Sequence, residues 1–422
     1  MANPLLSPSS LAFSLIFSAA LALMIAIRVW LALRQMAHVK AHRAAVPEQF
    51  VGRIALDAHQ KAADYSCART RFGLVSLGVE TLVLLAYTFG GGLQALHDFW
   101  SPRLDGLPYG VALIFSVMAI SAVVDLPFSL YAQFVIEERF GFNRMTARLF
   151  FLDLIKQTAL GLVIGTPVLL AVLWLMAQMG PRWWLYVWLF WCGFNLLILF
   201  VYPTWIAPLF NKFAPLDDAA LRTRIEALLT RCGFASSGLF VMDGSKRSAH
   251  GNAYFTGFGK NKRIVFFDTL LNRLQPAEIE AVLAHELGHF RHRHVIKRIV
   301  LLFGLSLGFL ALLGDLMRET WFYQGLGVDA QGTALALILF FMTVPIFTFF
   351  LTPVMSGLSR RHEFEADRYA AEHASADELI RALVTLYEDN AATLTPDPLH
   401  SLFYDSHPPA ALRIAQLARH AR

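Results

Sequence analysis

Residues 183–210 read WWLYVWLFWCGFNLLILFVYPTWIAPLF, without one Asp, Glu, Lys or Arg. A helix of that length rises about 42 Å at ~1.5 Å per residue, more than the roughly 30 Å of a hydrocarbon core. The stretch is read as a membrane span, and it has company. Six more apolar runs fall at about 11–33, 73–96, 109–132, 149–178, 299–316 and 333–357. The expected order is five spans, a polar gap, then two spans. Across 422 residues, 56% are hydrophobic and 16% charged, against about 25% charged in an ordinary soluble domain. A purely soluble enzyme is excluded. The net charge of +5 does not point to nucleic acid, because most basic residues lie in loops between the apolar runs. Cys67, Cys192 and Cys232 form no CxxC pair, so any metal must be held by His and carboxylate.

The leading segment MANPLLSPSS carries no basic residue, so the first run is read as a span and not as a cleaved signal peptide. The loop after it holds Arg34, Lys40, Arg43, Arg53, Lys61, Arg69 and Arg71, whereas the loop after span two holds only Arg103. The alternation continues with Arg139, Arg144 and Arg148 after span three, a single Arg182 and Arg318 after spans four and six, and Arg360 and Arg361 opening the tail. Basic loops stay cytoplasmic, so the N-terminus is expected outside and the C-terminus inside. The expected division is a five-span region 1–210, a polar insert 211–298, two spans in 299–357 and a tail 358–422. Insert and tail share the cytoplasmic side and can build one site. Short loops and the uncharged N-terminus favour a bacterial inner membrane over the endoplasmic reticulum. A monomer suffices for this reading.

Within the insert, Leu221, Ile225, Leu228 and Leu229 follow helical spacing between Asp217-Asp218 and Gly233. The runs GLFVMD (238–243), NAYFTGF (252–258) and RIVFFD (263–268) then predict a small sheet, the last two joined by GKNK. A further helix is expected from Pro276, with Glu278 and Glu280 set against its N-terminal dipole.

That helix contains His285-Glu286-Leu287-Gly288-His289, an HExxH. At ~3.6 residues per turn the two histidines stack on one face and reach one Zn²⁺, while Glu286 beside them addresses a water. A catalytic zinc usually takes three protein ligands and an open position, so one ligand is missing. The ten-residue offset of metzincins lands on Val295, which cannot bind metal. His292, two turns along the same straight helix, lies about 10 Å from His285, so another helix is the better source. The tail offers Arg361-His362-Glu363-Phe364-Glu365-Ala366-Asp367, in which Glu363 and Asp367 share a face. One of the two can bind zinc while the other orients a ligand histidine.

HExxH, the later EFEAD and the five-plus-two spans resemble the type I CAAX prenyl proteases, integral-membrane zinc endopeptidases of the gluzincin group. FVIEERFGFN (134–143), IAPLFNKF (206–213), GNAYF (251–255) and SHPP (406–409) resemble that family's signature stretches as well. The resemblance covers essentially the whole chain. It implies a mainly α fold of seven transmembrane helices enclosing a chamber, plus a small α+β zincin-like metallopeptidase domain. It makes Glu363 the third zinc ligand and Asp367 the partner behind a ligand histidine, and leaves Glu365 as ordinary helix surface. Asn252 and Ala253 are then on an edge strand that pairs with the substrate backbone, as an extended peptide requires. His407 and Arg413 are implied at the active site, where both can donate to a developing oxyanion.

The expected partners are a peptide or protein substrate, prenylated in the resembling family, and the bilayer. The expected cofactor is one Zn²⁺ per chain. A general membrane quality-control protease is the rival within the same chemistry; a transporter or silent scaffold would leave both motifs without a use. His250 and His294 are read as polar surface or as supports to the ligands. Glu80, Asp125, Asp153 and Lys156 fall within or at the edges of spans, where a charge is costly, and some of them are expected to line the chamber.

Overall fold

A computed structural model of the chain describes residues 7–235, 238–251, 253–256 and 263–420. In order, the elements are α1 (Pro8–Ala41), α2 (Leu56–Tyr87), α3 (Gly92–Trp100), α4 (Gly106–Tyr131), α5 (Ala147–Gln178), α6 (Trp183–Val201), β1 (Phe213–Pro215), α7 (Ala219–Arg231), β2 (Gly238–Met242), β3 (Ala253–Thr256), β4 (Arg263–Phe267), α8 (Asp268–Leu271), α9 (Pro276–Arg291), α10 (His294–Leu316), α11 (Thr320–Gln324), α12 (Thr333–Thr348), α13 (Thr352–His373), α14 (Ala376–Asp389), α15 (Pro398–Tyr404) and α16 (Ala410–His420).

Among the described residues, seven helical stretches are long and apolar enough to cross a membrane. Six match the expected runs, but the second is displaced: 73–96 was the expected span, whereas the helix is Leu56–Tyr87. The apolar run continues past a Gly90-Gly91-Gly92 turn, where Gly91 has φ +73°, into the separate helix α3. The seventh span passes through one tight turn, Phe349–Leu351, into α13. The membrane helix thus leads directly to the EFEAD segment.

Among the described residues, the two larger of three hydrophobic cores close the ends of the molecule. One gathers Phe17, Tyr87, Leu113, Leu173, Trp183, Leu313 and Leu339, one from each span, all near the end that holds the start of the chain. The other packs α7, α9, α14 and α16 against the sheet, with Phe50 and Ile54 added from the loop after α1. Between these cores, no residue is buried over 118–131 of α4, 154–172 of α5, 188–201 of α6 or 295–312 of α10. A helix in a packed bundle buries at least one stripe; these bury none. The accessible surface of 22133 Å² also exceeds the ~16,000 Å² expected of a compact monomer of this mass. The spans enclose a chamber.

Glu80 and Asp125 line one cavity of about 470 Å³ together with Tyr87, Ser121 and Ser129. Asp153 and Lys156 instead tie α5 to its neighbours. Asp153, 5% exposed, accepts from Arg247 Nε and Nη2 at 2.8 and 3.1 Å, and Lys156 donates to the Leu209 carbonyl at 3.0 Å.

The sheet has the order β1-β2-β4-β3, with β2 and β4 parallel and the outer strands antiparallel to their neighbours. β1 was not expected: it is three residues long and ends in Pro215, which suits an edge. β3 is the opposite edge strand. Its expected neighbour Asn252 and the linking segment 259–262 lie outside the described residues.

Candidate metal centre

The site is built on α9. Pro276 opens the helix, and a capping box joins Gln275 to Glu278, whose Oε2 accepts from the Gln275 N–H at 2.8 Å. Glu280, expected to face the dipole, is taken by Arg231 Nη2 at 2.8 Å and by Arg224 Nε, and so pins α7 to α9. α7 itself starts as expected, with the Asp218 carboxylate accepting from the Leu221 N–H at 2.9 Å.

The HExxH face meets α13 at a closely packed crossing. A Cβ on Gly288 would stand 2.9 Å from Ala366 Cα and 3.1 Å from its carbonyl oxygen, so only glycine lets the two backbones come this near. The crossing brings His285, His289 and Glu363 together, the one His/Cys/Asp/Glu group suited to a metal among the described residues. His285 Nε2 and His289 Nε2 are 3.2 Å apart, and each lies 3.4 Å from a different Glu363 oxygen. Ligands on a tetrahedral ion with bonds of ~2.0–2.1 Å stand about 3.3 Å from one another. Glu363 Oε2 is also a buried acceptor without a hydrogen bond. Spacing, donor types and this orphaned oxygen all fit a metal ion. His292, the rival ligand, caps α9 in an exposed position outside the group.

Behind the histidines lies a second layer of contacts. Asp367, fully buried, lies 2.9 Å from His285 Nδ1. Burial opposes charge on His285, but the facing carboxylates of Asp367 and Glu363 outweigh it and raise its pKa to about 9. Arg413 reaches the site from α16. It is 6% exposed, and its Nε and Nη2 donate to Asp367 at 2.8 and 2.5 Å. Its Nη1 is 3.8 Å from Glu363 Oε2. His407, from the loop before α16, is exposed and holds Nε2 3.4 Å from Glu363 Oε1. Glu286 is half-buried, with no hydrogen-bond or ion-pair partner among the described residues.

Glu365 corrects another expectation. It is not ordinary helix surface: its Oε2 lies 2.9 Å from Nε2 of buried His294, whose Nδ1 is 2.9 Å from His289 Nδ1. His250 bonds Asn390 at 2.9 Å, stacks on Phe142 and lies 3.5 Å from Glu137, next to the start of β3. Sequence reasoning missed Gly288 and Glu365, and it left His294 without a partner. The signal for Gly288 was a glycine in a helix interior, where alanine is the better helix former.

The chain matches the family model for the N-terminal region of CAAX prenyl proteases, described as five membrane helices, over residues 35–212, and that for peptidase family M48 over 215–421. A CAAX prenyl protease 1 homolog of Arabidopsis thaliana is 38% identical, covering 91% of this chain and 92% of its own. CAAX prenyl protease 1 of Saccharomyces cerevisiae is 39% identical over 71% and 70%. A crystal structure of S. mikatae Ste24p superposes with a TM-score of 0.88 at 32% identity, covering 96% of this chain and 99% of that one. The relatives named here are eukaryotic, and the expected preference for a bacterial inner membrane finds no support in them. With the seven spans and the His/His/Glu group, these matches establish that the chain belongs to peptidase family M48, among the CAAX prenyl proteases: it is a multi-pass integral-membrane metalloprotease.

Proposed function

We propose that this protease removes the C-terminal tripeptide from prenylated CaaX peptides, using one Zn²⁺ held by His285, His289 and Glu363. The observation that carries the reading is the 38% identity, over nine-tenths of the chain, to a protein named for that activity. When bound, the ion supplies Lewis-acid polarisation of the scissile carbonyl and makes water more acidic. Glu286, free of other partners among the described residues and one residue from His285, accepts a proton from the attacking water and delivers it to the leaving amine. His407 donates to the developing oxyanion. Arg413 acts one step back as a positioning residue: its guanidinium fork fixes Asp367, which in turn fixes the His285 ring. Ala253, the first residue of the edge strand, and Asn252, which precedes it in sequence, take the substrate backbone.

The site is proposed to face the cytoplasm with the N-terminus outside. The support is the alternation of Lys and Arg between successive loops.

The test is cleavage of a farnesylated CaaX peptide and its unprenylated twin by the detergent-purified protein, with Glu286→Gln as control. Release of the tripeptide from the prenylated peptide alone, absent in the control, is expected. Equal cleavage of both peptides would replace the CaaX assignment with general membrane proteolysis. A fully active Glu286→Gln enzyme would overturn the mechanism.

A further inference from the structure

The two ligand histidines are held from behind in different ways. His285 meets a carboxylate directly, its Nδ1 being 2.9 Å from Asp367. His289 meets another histidine, Nδ1 to Nδ1 at 2.9 Å, and that histidine meets Glu365 through Nε2 at 2.9 Å. We infer that His294 and Glu365 form a relay that fixes the tautomer and ring plane of His289, presenting its Nε2 lone pair to the metal. The inference rests on the assignment of His289 as a ligand.

Proton placement along the chain carries the argument. Two ring nitrogens facing each other share one proton, and a metal-binding Nε2 carries none. His289 Nδ1–H therefore donates to His294 Nδ1, and the remaining proton of His294, on Nε2, donates to Glu365 Oε2. In the reverse arrangement of two neutral rings, the bare His294 Nε2 faces the carboxylate, acceptor against acceptor. It also puts a proton on the His289 nitrogen that should bind metal. The carboxylate at the far end thus selects the tautomer competent for the metal.

The ring that transmits this choice is immobilised. His294 is 4% exposed. It stacks on His362 at 4.0 Å with an interplanar angle of 10°, and on His292 at 5.5 Å and 14°. Arg293 adopts φ +56° between α9 and α10, a left-handed turn that bulky residues seldom take. It turns the chain so that the first residue of α10 lies beside the last ligand on α9. Glu365 is steadied in turn by Arg361, whose Nε is 3.4 Å from Oε1.

The experiment measures zinc dissociation constants by competition with a chromophoric chelator, and the visible spectrum of the Co²⁺-loaded protein. The proteins are the purified full chain, Glu286→Gln, His294→Phe, Glu365→Leu and Glu365→Gln. His294→Phe keeps a stacking ring and loses both nitrogens; zinc affinity should fall about 10–100-fold and the Co²⁺ bands should shift. Glu365→Leu should follow it, whereas Glu365→Gln, whose amide oxygen still accepts, should keep wild-type affinity and bands. A merely structural role would not separate the leucine from the glutamine variant. If His294→Phe unfolds early when zinc is chelated, the two Glu365 variants decide alone. Wild-type zinc affinity in Glu365→Leu, or equal losses in Glu365→Leu and Glu365→Gln, would overturn the relay. If the wild type and Glu286→Gln themselves fail to hold zinc, the ligand assignment falls instead.

Discussion

Helices α9 and α10 are neighbours in sequence, yet they are buried in opposite measure. α9 buries Glu278, Ile279, Glu280, Ala281, Leu283, Ala284, His285, Leu287 and Gly288 within sixteen residues. α10, far more apolar, buries only His294, Leu313 and Gly314 within twenty-three. Hydropathy and packing have come apart. α10 runs beside α6 and α12 and leaves the apolar side chains along its middle unburied, so little there depends on fit. Those of α9 lock into α7, α13 and α14, because the ligand atoms on this helix must hold their places to within a few tenths of an ångström.

The largest test of that contrast is chemical. Glu286→Gln should lower turnover by about 10²–10⁴-fold while the protein keeps its zinc, and His289→Ala should lose zinc and turnover together. Metal content and peptide release, measured on the same preparations, separate the two. A His289→Ala enzyme that retains stoichiometric zinc would mean that α9 is not the metal helix.

Packing gives the next test, through glycines. Gly288→Ala drives a methyl into the Ala366 backbone and should destabilise the catalytic region by about 1–3 kcal/mol. Gly304 and Gly308 in α10 have nothing within 4 Å of an added Cβ. Gly304→Ala and Gly308→Ala should therefore be neutral or slightly stabilising. Gly314, at the closed end of the same helix, already faces Trp184 at 2.9 Å, so Gly314→Ala should cost stability again. Detergent-phase thermal melts of the four variants check the pattern. Equal effects at 304 and 314 would deny that the middle of the bundle is hollow.

The spans were legible in the sequence because one-dimensional hydropathy is enough to find a membrane helix. Their inner faces were not, since a chamber wall and a lipid face draw on the same residues. In the catalytic region, Pro276, Asp218 and the HExxH spacing are local signals, and the structure repeats them almost residue for residue. Glu365 was misread as surface, because its partner His294 lies seventy-one positions away and arrives only through the left-handed turn at Arg293. The engagement of Arg413 with Asp367 depends on how α16 docks on α13, which no local pattern encodes. The end of the second span failed for a simpler reason: a run of apolar residues does not announce that three glycines interrupt it.

The smallest expected effect lies at the seam between the two regions. Asp397, 1% exposed, joins the tail to α1: Arg34 donates to it through Nη2 at 2.9 Å and Nε at 3.2 Å, and the Leu399 and His400 N–H groups donate at 3.1 and 3.0 Å. Burial by itself would raise its pKa, but Arg34 and the two N–H groups hold the carboxyl below the usual carboxylate range. A depressed folded pKa means that the contribution to stability is full above the unfolded value of ~3.9 and is lost as pH falls through the folded one. Asp397→Asn should therefore melt below the wild type at neutral pH, with a gap that closes only in acid below about pH 4. A gap that is unchanged at low pH would assign the clasp to shape and not to charge. Because this tail segment precedes the loop bearing His407, a loosened clasp should reach turnover before it reaches zinc affinity, which α9 and α13 secure by themselves.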